Sequence, residues 1–260
     1  MGFLTDLTAV IRRELLERPL DVAALRTAAT AVTAASPPRS LAEALRSHAP
    51  SVIAEIKRSS PSAGAIASPD PAEQARAYTD AGAAAISVLT EPRHFHGSLD
   101  DLRAVRAVTD LPVLRKDFLV DVSQVVEARA AGADAVLLIT ACLTDQELIA
   151  MLAASAEWGM ETLVETHAPA DLARALATDA QIIGVNARDL ETLDVDPERA
   201  LAQLAQIPPD RIAVMESGIS TRAQVVAAVN AGASGILIGE ALMRATDPRS
   251  ALRRLTEEEQ

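Results

Sequence analysis

The chain is poor in several residue types, and each shortage excludes something. One cysteine, Cys142, among 260 residues rules out a disulfide framework and any cysteine-rich metal site. Four histidines, His48, His94, His96 and His167, leave little material for a metal, and none is expected. Aromatic residues are limited to one Trp, one Tyr and three Phe, so Ala, Val, Leu and Ile must fill the core. No apolar run reaches the ~18 residues that a spanning helix needs. The amino terminus carries charge from Asp6 onward and has no apolar signal core. Met1-Gly2 could open a myristoylation signal, yet Asp6 stands where Ser or Thr is required. Positive charge is in deficit as well. With 24 basic against 36 acidic residues the net charge is −12, which argues against a broad nucleic-acid or anionic-membrane surface. The expectation is a soluble, cytoplasmic, monomeric globular protein, and 49% hydrophobic residues suffice for a sizeable core.

Lysine is the most telling shortage. Of the 24 basic residues only Lys57 and Lys116 are lysines. Lysine is a compact acid of tunable pKa and arginine is not, so positions that kept lysine against this bias are candidates for chemistry.

What the chain does have is a repeat. Eight short apolar runs recur at 52–56, 84–89, 112–114, 135–139, 162–164, 182–185, 212–215 and 236–238. Near-continuous apolarity over this length fits strands buried on both faces of a parallel sheet. Helical segments lie between them. Asp70-Pro71-Ala72-Glu73 carries a cap, a first-turn proline and an acid, and Asp121 with Gln124, Thr144 with Glu147 and Thr221 with Gln224 repeat the capping pattern. Gly82, Gly132 and Gly232 fall where helix ends need left-handed backbone, each just before the next apolar run. The pattern predicts an α/β single (β/α)₈ TIM barrel over residues 48–260, with a doubly wound open sheet as the competitor. No Gly-x-Gly-x-x-Gly follows any run, which weakens the dinucleotide-binding form of that competitor. Residues 1–47 read as a helical extension packed on the barrel within one domain. Residues 3–18 are amphipathic, Pro37-Pro38 interrupts the extension, and Ser40 with Glu43 reads as a capping box.

In a barrel of this kind catalytic groups project from the carboxyl ends of the strands. Those ends carry Glu55 and Lys57, Lys116, Glu165, Asn186 and Arg188, then Glu216 and Ser217. Both lysines therefore sit at the catalytic end. Ser217-Gly218-Ile219 after the seventh strand and Ile238-Gly239-Glu240 after the eighth would let backbone N–H groups approach a phosphate. The two histidines around Phe95 read as loop residues, His167 as a neighbour able to hydrogen-bond Glu165, Cys142 as an inert thiol, and Thr256 to Gln260 as a solvated helix end.

Ile53-Ala54-Glu55-Ile56-Lys57-Arg58-Ser59-Ser60-Pro61-Ser62 resembles the signature of the indole-3-glycerol-phosphate synthase family. The likeness continues through Val88-Leu89-Thr90-Glu91, Phe95 to Leu99, Leu114-Arg115-Lys116-Asp117-Phe118, Leu163-Val164-Glu165, Gly184-Val185-Asn186 with Arg188-Asp189-Leu190, and Glu216-Ser217-Gly218-Ile219. It covers the chain from about Pro37 to the last helix and is weak over the first forty residues.

The resemblance implies closure of an indole ring from 1-(2-carboxyphenylamino)-1-deoxyribulose 5-phosphate, with loss of CO₂ and water and no cofactor. It implies Lys116 as the acid that protonates the ketone oxygen and Glu165 as partner to the developing anilinium. Lys57, paired with Glu55, would hold the departing carboxylate and serve as acid in dehydration. Asn186 and Arg188 would orient hydroxyls and charges, with Glu216 organising them from behind. Ser60, Ser217, Gly218 and the backbone of Ile238, Gly239 and Glu240 would hold the phosphate, and Phe118, Leu137 and Leu190 would line the slot for the ring. Read without the resemblance, the same residues leave open another phosphate-binding barrel, such as a Schiff-base aldolase, or a non-catalytic phosphate sensor.

Overall fold

The structure, a computed structural model, describes residues 2–47, 50–61, 64–66 and 70–257. His48, Ser62 of the signature and the last three residues of the acidic tail lie outside them. The barrel strands are β1 (Ser51–Ile56), β2 (Ala85–Leu89), β3 (Val113–Lys116), β4 (Ala135–Ile139), β5 (Glu161–Thr166), β6 (Ile182–Asn186), β7 (Ile212–Glu216) and β8 (Gly235–Ile238), and a two-residue antiparallel pair, Ser59–Ser60 with Gly64–Ala65, follows β1. The barrel strands pair in parallel, each with its successor, and β8 returns to β1 with Ser51 opposite Gly235, which closes the barrel. Closure excludes the open doubly wound sheet. Every barrel-strand residue except Lys116 and Glu161 is buried, which is why these strands read as unbroken apolar runs rather than alternations. β3 runs past its apolar run because the buried Arg115 guanidinium is matched by Asp117 at 3.0 Å and Glu127 at 2.9 Å.

Between the strands lie α4 (Pro71–Asp80), α5 (Leu99–Arg106), α6 (Val122–Ala130), α7 (Asp145–Glu157), α8 (Pro169–Leu176), α9 (Pro197–Leu204) and α10 (Arg222–Asn230). α11 (Glu240–Met243) and α12 (Pro248–Thr256) follow β8. Asp70 caps α4, and the boxes of Asp121, Thr144 and Thr221 are complete. Gly82, Gly132 and Gly232 take φ of 90°, 97° and 105°, as helix ends feeding a strand require. No helix among the described residues is long and apolar enough to cross a membrane.

Three helices precede the barrel: α1 (Phe3–Glu17), α2 (Val22–Ala35) and α3 (Leu41–Ser47). α3 starts with Ser40 Oγ accepting the Glu43 N–H at 3.0 Å. The carboxylate that completes this cap comes from Glu161 at the start of β5, which accepts Ser40 Oγ at 2.8 Å and the Ala42 N–H at 2.7 Å. A local box was expected, and a strand end supplies the acid. α2 is latched to α6 by Arg129, whose buried guanidinium donates to Thr33 Oγ1 at 2.9 Å, to Ala133 O at 2.7 Å and to Ser36 O. α1 runs along the carboxyl side of the barrel, where Arg12 grips Glu147 at 2.7 Å and the Cys142 carbonyl at 3.0 Å.

Candidate active site

Side chains alternate along a strand, so inward-facing residues near each carboxyl end converge over the barrel axis. They surround a cavity of about 480 Å³. On β1 and just beyond it, Lys57 Nζ lies 2.7 Å from Glu55 Oε1. Gly239 makes room for this pair: a Cβ there would overlap Glu55 Oε1 and come within 2.9 Å of Lys57 Nζ. Across the mouth, Lys116 Nζ stands 3.0 Å from Glu165 Oε2 and 3.3 Å from Glu216 Oε2. Asn186 Nδ2 donates to the other oxygen of Glu165 at 3.0 Å. Glu216 fits because β6 offers Gly184, where a Cβ would overlap Glu216 Oε1.

Two buried carboxylates beside one ammonium do not both ionise freely. Burial drives the Glu216 carboxyl up to about 8, helped by the Glu165 charge and opposed by Lys116. Burial also opposes ionisation of Glu165, but Lys116 and the Asn186 amide outweigh it and hold this group below the usual carboxylate range. For Lys116, burial would favour the neutral amine, and the charges of Glu165, Glu216 and Glu55 reverse this and keep it protonated. Near neutrality the arrangement is an ammonium, a carboxylate and a carboxylic acid. Apart from Lys116 and Glu165, the Glu216 oxygens have no hydrogen-bond partner among the described residues.

One end of the cavity is apolar. Phe118 meets Phe95 with ring centroids 6.0 Å apart and Phe3 of α1 at 6.3 Å. Phe95 is placed by the buried Glu91, which accepts the N–H groups of Arg93, His94 and Phe95 at 2.8, 2.6 and 3.2 Å. The other end is built from backbone. Ser217 and Gly218 have φ of 64° and 73°, two left-handed residues in succession after β7. The serine is in sparsely populated territory of the kind found at ligand clamps. Glu240, which also lines the cavity, pairs with Arg244 at 2.9 Å.

The family model for indole-3-glycerol phosphate synthase matches residues 7–255. The chain belongs to that family. Curated indole-3-glycerol phosphate synthases from Nocardioides sp. and Micrococcus luteus are 48% and 49% identical, over 98% and 97% of this chain and 98% and 96% of theirs. The one from Mycobacterium avium is 51% identical over 85% of this chain and 82% of its own. Among solved structures, a 3-hexulose-6-phosphate synthase superposes with a TM-score of 0.62 at 20% identity, covering 79% of this chain and 97% of that one. Chains from a tryptophan synthase α2β2 complex of a hyperthermophile, Pyrococcus furiosus, give 0.60 at 16%, covering 79% and 97%. These two share the barrel. The indole-3-glycerol phosphate synthase match starts inside α1, so the extension is part of the family pattern.

All the residues expected from the sequence line this one cavity: Glu55, Lys57, Ser60, Lys116, Phe118, Leu137, Glu165, Asn186, Arg188, Leu190, Glu216, Ser217, Gly218, Ile238, Gly239 and Glu240. Phe3, Leu89, Phe95 and Arg244 line it too and were given no role. Phe95 stood in a recognisable motif, whereas nothing near Phe3 in sequence points to a site. His167 does not reach Glu165. Its ring lies 3.1 Å from the Asn186 carbonyl and 3.3 Å from Asp189, because its chain position is past the strand and turns outward. His94 packs edge-on against Phe3 at 5.0 Å. The Cys142 thiol is buried, which pushes its ionisation up and keeps it inert.

Proposed function

We propose that the chain closes the indole ring of 1-(2-carboxyphenylamino)-1-deoxyribulose 5-phosphate, giving indole-3-glycerol phosphate, CO₂ and water, as a decarboxylating carbon–carbon lyase of tryptophan biosynthesis. Family membership and relatives near half identity support the activity. The observation that carries it is the pair of lysine–carboxylate couples facing each other across one cavity, one from β1 and one shared by β3, β5 and β7.

The phosphate would sit at the Ser217–Gly218 and Ile238–Glu240 backbone with Ser60, and the aromatic ring between Phe118, Leu137 and Leu190. Ring closure transfers the Lys116 proton to the ketone oxygen as the carboxyl-bearing ring carbon attacks the ketone carbon. Glu165, ionised and fixed by Asn186, stabilises the positive charge that develops on the ring nitrogen. Lys57 holds the carboxylate until CO₂ leaves and its electron pair restores the aromatic ring. Dehydration then expels the new hydroxyl as water: Lys57 protonates the leaving oxygen, and the proton lost from the neighbouring ring methylene passes to Glu55, which returns it to Lys57. Arg188 and the neutral Glu216 shape the local charge, and each acid–base contact is worth roughly 10²–10⁴-fold in rate. No step changes the oxidation state through an external agent.

A Schiff-base aldolase needs an unprotonated lysine, and Lys116 is held protonated by its carboxylates. The proposal includes a monomeric, cytoplasmic enzyme and a single domain. Incubating the purified protein with the carboxyphenylamino-deoxyribulose phosphate should generate indole absorbance. No indole signal, together with borohydride trapping of a ketose phosphate on either lysine, would overturn the reading.

A further inference from the structure

Glu191 lies in the loop after β6, between two parts of the site that are remote in sequence. Its carboxylate accepts the Leu4 N–H at 3.1 Å, the Thr5 N–H at 3.2 Å and the Thr5 hydroxyl, and so caps the first turn of α1 from across the barrel mouth. Gly2 permits the approach, since a Cβ there would overlap Glu191 Oε2. α1 supplies no cap of its own, because Gly2 has no side chain to accept a hydrogen bond.

The backbone that carries the carboxylate is itself held. Asp189 accepts the N–H groups of Glu191 at 2.7 Å and Thr192 at 3.2 Å, and its other oxygen faces His167 Nε2 at 3.3 Å. Burial opposes ionisation of Asp189, but those N–H groups and His167 outweigh it and hold the group below its ordinary range. The same loop carries Arg188 and Leu190 into the cavity. At the other end of the tether, the residue just before the capped N–H groups is Phe3, which lines the cavity and meets Phe118 edge-on.

We propose that Glu191 is a positioning residue: it locks the β6 loop to the first turn of α1 and thereby seats Phe3 against the aromatic end of the cavity. The inference rests on the functional reading above for what occupies that end. It gives the loop a role beyond contact with the substrate, because ordering Leu190 and ordering Phe3 become one event. Arg12 holds the middle of α1 independently, so loss of the cap frees the first turn and not the helix.

The test compares two probes of opposite character, anthranilate for the aromatic end and inorganic phosphate for the backbone end, by calorimetry on the full chain. Glu191→Ala is expected to weaken anthranilate binding roughly two- to tenfold, the usual worth of an aromatic contact, and to leave phosphate binding unchanged. Phe3→Ala should do the same, and the double variant should be no weaker than either single one, as coupled residues require. Glu191→Gln, which keeps an acceptor oxygen, should recover part of the affinity. Additive losses, equal weakening of both probes, or unchanged anthranilate binding in Phe3→Ala and Glu191→Ala would each overturn the proposal. Absence of indole formation by the unmodified chain would overturn the functional reading and leave the coupling to be judged by these affinities.

Discussion

At the residue scale the proposed chemistry depends on which carboxyl group near Lys116 keeps its proton. Glu165→Gln removes the ionised member while preserving the Asn186 contact geometry. Turnover is expected to fall by about 10²-fold or more with substrate affinity little changed, as for other acid–base groups. Steady-state kinetics checks this, and a variant with weakened binding and intact turnover contradicts it. Glu216 titrates at about 8 in the fold against an ordinary 4.5, so the folded state holds a proton that the unfolded state has released. Stability from this group is complete below the ordinary carboxylate range and is lost as pH rises through about 8. Urea unfolding at pH 5, 7 and 9 should show the unmodified chain losing ground steadily to Glu216→Gln, whose amide does not titrate. Parallel pH profiles would mean that Glu216 is ionised throughout.

At the scale of elements, two glycines and one arginine set how the pieces fit. Gly239→Ala puts a methyl group where the Glu55–Lys57 pair now lies. Turnover should drop by roughly 10- to 100-fold, the cost of misplacing reacting groups by about an ångström, with an unchanged circular dichroism spectrum. Arg129→Met keeps the aliphatic bulk between α2 and α6 but leaves the Ala133 and Ser36 carbonyls without their donor. A loss of about 1–3 kcal/mol in denaturant unfolding is expected, with kinetic constants unmoved. The elements themselves were legible, because a strand buried on both faces must be apolar and a helix end must be capped close by. Glu55, Lys57, Lys116 and Glu165 were legible for a related reason: charge at the end of an apolar run has few structural uses. Glu161 capping α3, Gly184 giving way to Glu216 and Glu191 holding α1 were not. Each joins segments distant in sequence, and amphipathic periodicity shows which face of a helix is buried without naming what it is buried against.

At the scale of the whole molecule, the scarcity of lysine gives a direct chemical handle. Reductive methylation can reach only Lys57, Lys116 and the terminal amine, since arginine is spared. It should abolish activity without unfolding the chain, because added methyl groups remove donor hydrogens from both couples. Lys116, held protonated by its carboxylates, should react more slowly than Lys57. Intact mass and peptide mapping against activity provide the measurement, and full modification with retained turnover would make both lysines structural. The parallel pairing of β1 with β8 bears on how such a molecule comes into being. The first strand carries Glu55 and Lys57, and the strand that shapes their surroundings is the last to leave the ribosome. Until β8 arrives, β1 has a bare edge and the acid–base pair has no wall behind it. The proposed reactivity is therefore acquired only at the moment the two ends of the sheet meet, and a chain stopped short of Gly239 would hold nearly every side chain proposed for catalysis and still lack a finished site.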